Sequence, residues 1–87
     1  MGLVTDKKTE IEKFLKEFAK VSGTSVVEGL VKKAADDAGM KIELEDSKIK
    51  NNLSTEEGIK LYGHIIVVFS KVYGTNLVEG VMKKVEE

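Results

Sequence analysis

Eighty-seven residues with fourteen lysines, fifteen acids and a net charge of −1 make one small domain, near the lower limit of what buries a self-sufficient core. With 41% apolar and 33% charged residues, the composition is that of a soluble globular chain rather than a disordered one. Arg, Cys, Gln, Pro and Trp are absent, which removes the bidentate fork favoured for phosphate and guanine recognition, any disulfide framework and any zinc-thiolate site.

The opening MGLVTDKK lacks the apolar stretch of a secretory signal, and the longest apolar run, Ile65 to Phe69, is far short of the roughly 20 residues of a membrane helix. Both point to a cytoplasmic protein with no membrane partner. A first helix is predicted from Asp6 or Thr9, with Glu12 placed to complete a capping box on Thr9. Ile11, Phe14, Leu15 and Phe18 fall at i, i+3, i+4, i+7 and form one apolar stripe. Gly23 ends this helix, and Ser25 with Glu28 has the spacing of a capping box for a second, predicted from about Val26 to Ala38, with Val27, Leu30, Val31, Ala34 and Ala38 inward and Gly39 as terminator.

From Met40 the chain reads as an extended connector. Met40, Ile42 and Leu44 alternate with charges in a strand-like pattern with no evident pairing partner, and one helical turn is allowed after Asp46. The expectation is that Met40, Ile42, Leu44 and Ile49 lie over the helices. Ser54 with Glu57 opens a third helix whose stripe is read as Ile59, Tyr62, Ile65, Ile66 and Phe69, ending at Gly74. Asn76 with Glu79 repeats the capping spacing for a fourth, from Leu77 to about Val85.

Phe18 to Ala34 and Phe69 to Val85 share ten identities in seventeen positions at an offset of fifty-one residues, too many for coincidence, and the offset also pairs Ile11 with Tyr62 and Phe14 with Ile65. The expected fold is therefore all-α: two repeated helical hairpins with internal pseudo-two-fold symmetry in a single domain, 1–87, with repeat one at about 5–39, the connector at about 40–53 and repeat two at about 54–87.

The copies differ where Lys16 and Glu17 correspond to Val67 and Val68, which gives the third helix a surplus apolar face, covered either by the connector or by a second subunit. Val67, Val68, Ile42 and Leu44 are the candidate interaction residues. Gly29 and Gly80 each weaken a helix at the same place, which suggests close approach of another helix or of the aromatic pair Phe18 and Phe69 at the hairpin corner, or else of a ligand backbone or anion at the helix N-terminus.

Candidate chemistry is thin. GTSVVEG misses the phosphate-loop spacing by one residue and follows a helix rather than a strand. Lys32, Lys33, Lys83 and Lys84 are read as cations offsetting helix C-termini, or as a pair of basic patches. The comparison with a DNA-binding helix-turn-helix meets an obstacle at Gly29, where that motif wants a core side chain, and two lysines make a weak phosphate contact. His64, the sole histidine, lies off the main stripe, and neither Asp36 with Asp37 nor Glu45 with Asp46 fits a calcium loop. No catalytic, metal or cofactor residue is assigned.

FSKVYGTNLVEGVMKKV, preceded by a helix and GMKIELED, resembles small all-helical archaeal domains of uncharacterised function, some of which are appended to signalling or regulatory proteins as output modules. The resemblance implies a helical fold and an archaeal source and transfers no catalytic residue. The leading expectation is a non-enzymatic interaction module whose partner is itself or another protein. The alternatives are a lysine-based nucleic-acid binder and a helical domain holding a small ligand between its hairpins.

Overall fold

A computed structural model describes residues 7–86, with side chains through Val85. It is mostly helical, 76%, with four helices: α1 (Lys7–Ser22), α2 (Thr24–Asp37), α3 (Thr55–Tyr73) and α4 (Thr75–Glu86). A two-stranded antiparallel hairpin of β1 (Leu44–Glu45) and β2 (Lys48–Ile49) lies between α2 and α3.

The predicted stripe of α1 is the buried one: Ile11, Phe14, Leu15 and Phe18 are fully enclosed. Thr9 lies inside the helix and not at its cap, and Glu12 is used elsewhere; Asp6 falls outside the described residues. A single glycine joins α1 to α2 and α3 to α4. Gly23 has φ 92° and ψ 155°, and Gly74 φ 94° and ψ 148°, a region essentially closed to side-chain-bearing residues. Each glycine N–H donates back into the finished helix (to Ala19 O at 2.8 Å and Ser70 O at 2.9 Å), and each glycine carbonyl accepts from the next (Val27 and Val78 N–H, both at 3.3 Å).

One residue thus closes one helix and opens another, and no room remains for a separate cap. This corrects two expected capping boxes: Ser25 and Asn76 sit within the first turns of α2 and α4, and α2 has no side-chain cap. The box at Ser54 does form, with Glu57 N–H donating to Ser54 Oγ at 3.1 Å and Ser54 N–H to Glu57 Oε1 at 2.9 Å. At the other end of α2, Gly39 (φ 72°) donates to Asp36 O at 3.0 Å and Met40 N–H reaches Ala35 O at 2.8 Å, a Schellman closure.

The connector is a hairpin, not an unpaired strand followed by a helical turn. Leu44 faces Ile49 and Glu45 faces Lys48 across a two-residue turn in which Asp46 (φ 51°) and Ser47 (φ 64°) both adopt the left-handed region, as a tight hairpin requires. Its expected covering role holds: Ile42 and Ile49 are buried, and Met40 and Leu44 pack half-buried on the core. Two helix carboxylates fasten it. Glu12 Oε2 accepts from Ile49 N–H at 2.9 Å and Glu28 Oε2 from Ser47 N–H at 3.4 Å, so the two acids read as capping residues serve tertiary contacts instead.

The core centres on α1 and α3, which run side by side in the same direction. Phe14 meets Tyr62 and Phe69 with ring centroids 5.6 and 5.3 Å apart, and Phe18 meets Phe69 and Tyr73 at 5.1 and 4.6 Å. At one end the Tyr73 hydroxyl donates to Ser22 Oγ at 2.7 Å. At the other, Gly58 lets the backbones approach so closely that a Cβ there would stand 2.8 Å from the Cβ of Lys7. Helix α2 packs against both α1 and α3, most extensively on α3, and α4 also touches both.

Candidate functional site

Helix α3 is apolar on two sides. Leu61, Tyr62, Ile65, Val68 and Phe69 are buried against the other helices. The opposite side carries Ile59, Gly63 and Val67, one turn apart, with Ile59 53% and Val67 51% exposed. Gly63 contributes no side chain between them and nothing lies within 4 Å of where its Cβ would be. The result is an open depression of about 300 Å³ with Lys60 and His64 on its rim. Beyond its ends, on the same face, stand Glu56 and Lys71, both exposed and neither ion-paired among the described residues.

The sequence-derived interaction residues are divided by this geometry. Val67 is on the open face. Val68, 5% exposed, belongs to the core of the single chain, as does Ile42 at 8%, and Leu44 is half-buried. Adjacent helical positions point about 100° apart, so one cover does not serve both valines. Ile59, expected inward, is outward; Leu61 and Val68 take the inward places. Gly63 and Ile59 were legible as part of this face only from the excess of apolar residues around α3.

Phe18 and Phe69 do meet at the hairpin corner, but Gly29 and Gly80 do not pack there: both are exposed and a Cβ on either would touch nothing within 4 Å. Near the same corners Val21, Val26, Val72 and Leu77 are also exposed. Lys83 and Lys84 occupy the last turn of α4 as expected, whereas the last turn of α2 holds Asp36 and Asp37 and no base, so Lys32 and Lys33 do not offset its dipole. All four lysines are exposed, and Lys84 donates to Glu17 Oε1 at 3.2 Å. That bond is the main reason the Glu17 carboxyl sits below its ordinary value of 4.5; desolvation opposes it and Lys20, 3.4 Å away, assists.

His64 is half-buried at the rim of the depression. Among the described residues no three His, Asp or Glu side chains group to hold a metal ion, and no helix is long and apolar enough to cross a membrane. The space between α1 and α3 is filled by the aromatic cluster. No family model, curated protein or solved structure matches the chain.

Proposed function

We propose that the chain is a helical protein-interaction module, binding rather than catalytic, built from two copies of one hairpin about an internal pseudo-two-fold axis, and that it engages a protein through the outward face of α3. The duplication is supported by contacts between residues fifty-one apart. Beside a two-fold axis residues touch their own equivalents, and Lys7 with Gly58, Phe18 with Phe69 and Ser22 with Tyr73 do so at three heights along α1 and α3. The near-identical backbone angles of Gly23 and Gly74 agree with it.

The observation that carries the functional reading is the apolar notch of Ile59, Gly63 and Val67, flanked by charge. Exposed isoleucine and valine at i and i+8 around a central glycine suit a helix laid into the notch, where the missing side chain permits close approach. The test places p-benzoylphenylalanine at position 67 and, as control, at exposed position 32, with irradiation in cells. The reading expects a protein adduct, to the chain itself or to another, from position 67 and not from 32. Equal labelling from both, or none from position 67, removes it.

A further inference from the structure

We infer that the occupant of this face is a second copy of the same chain, its α3 crossing the first antiparallel with the two Gly63 residues at the centre. The inference rests on reading the face as an interaction surface. At about 100° per residue, Glu56, Ile59, Lys60, Gly63, Val67 and Lys71 share an arc of about 120° opposite the buried side. Along that arc the face is complementary to its own reverse. Ile59 lies four residues before Gly63 and Val67 four after, so antiparallel pairing sets Ile59 of each copy on Val67 of the other. Glu56 lies seven before and Lys71 eight after, so each Glu56 falls beside Lys71 of the second copy, and both side chains are exposed with no ion-pair partner of their own among the described residues.

Parallel pairing does the reverse, setting Glu56 on Glu56, Lys60 on Lys60 and Lys71 on Lys71, so charge chooses the direction. Either direction gives a closed, isologous contact that uses the face once on each copy and leaves no open end, so the choice of direction rests on charge. Gly63 at the crossing point keeps the two helices from being held apart by their own side chains, and in the single chain it serves no packing purpose, since nothing lies near it.

Sedimentation equilibrium of the full chain at low salt decides it. The wild type should dimerise reversibly with concentration and less so as salt is raised. Glu56→Lys and Lys71→Glu alone should each weaken the dimer about tenfold. The double variant, and an equimolar mixture of the two single variants, should recover it, because both restore opposite charges at every contact. Gly63→Leu should weaken association without lowering the melting temperature measured at concentrations where the wild type is monomeric, which separates loss of the face from loss of the fold. A wild type that stays monomeric to about 1 mM, or a dimer indifferent to the reversals and to Gly63→Leu, overturns the inference. If such a monomer still gives a position-67 adduct with a different protein, the interaction reading survives and only the second copy is wrong.

Discussion

Replacing Gly29 and Gly80 by alanine should make the protein more stable, although the repeated glycine suggests a packing need at both positions. Each lies well inside a helix, α2 or α4, on the exposed side, with no atom within 4 Å of the added methyl. With no clash to offset it, the gain is the helix propensity of alanine over glycine, about 0.8–1.0 kcal/mol per site, part of it through a less flexible unfolded chain. In a domain of this size 1 kcal/mol moves the melting temperature by about 4–8 °C. Each single variant should therefore rise by roughly 3–8 °C and the double by about the sum, since the sites are on different helices. Thermal unfolding followed by circular dichroism measures this directly. Gly23→Ala and Gly74→Ala form the control: at φ 92° and 94° a side chain is strained, and each should lose about 1–3 kcal/mol. A fall in melting temperature for Gly29→Ala or Gly80→Ala would refute the reasoning and mean that something covers those helix faces.

Three further outcomes are expected. Glu12→Ala leaves the part-buried Ile49 N–H without its acceptor and should cost about 1–3 kcal/mol, with hydrogen exchange at Ile49 accelerating before that of α1; unchanged exchange would mean that the carboxylate does not hold the hairpin. Glu17 has a lowered folded-state pKa, so its contribution is present above the ordinary value of 4.5 and is lost as pH falls through the folded value. Glu17→Gln should lower stability slightly at neutral pH, leave it nearly unchanged in acid where the wild-type carboxyl is protonated, and so flatten the acid limb between the two, whereas a profile parallel to wild type would remove the Lys84 bond from the account. Finally, Val68→Lys puts a charge in the core and should cost several kcal/mol, while Val67→Lys should change unfolding stability by less than about 0.5 kcal/mol; equal losses would mean that the two faces of α3 are misassigned.

What could be read from the sequence follows the range of the interactions involved. The stripe of α1, the Ser54–Glu57 cap and the terminating roles of Gly23, Gly39 and Gly74 depend on residues within a turn or two of one another, and they stand as expected. The caps at Ser25 and Asn76 failed because a single glycine does the work of two residues, which spacing alone does not reveal. The hairpin was hidden because its turn is Asp46-Ser47, without the glycine that usually announces positive φ, and because its anchors, Glu12 and Glu28, are thirty-seven and nineteen residues away. Helix α3 was ambiguous for a different reason: with apolar residues on both sides, the period is right for either stripe, and only its neighbours choose between Ile59 and Leu61.

Those neighbours also account for the disagreement between the copies. Under the proposed two-fold, α1 against α4 corresponds to α3 against α2, and the Glu17–Lys84 ion pair of the first contact corresponds to positions Val68 and Lys33 in the second. An ion pair between an exposed lysine and a half-buried glutamate still tolerates water and distance. A buried valine requires close apolar cover, and the α2–α3 contact is the more extensive of the two. Under that two-fold, Val where the other half has Glu gives the α2–α3 contact apolar cover at the place where the α1–α4 contact holds an ion pair. By the same offset, Lys8, Glu12 and Lys16 of α1 stand where α3 has Ile59, Gly63 and Val67. Helix α1 carries charges where α3 carries the notch, and Glu12 is in addition committed to the β-hairpin. Of these two helices α3 alone carries the notch among the described residues, and a face used once on each copy fits the proposed dimer rather than an extended array.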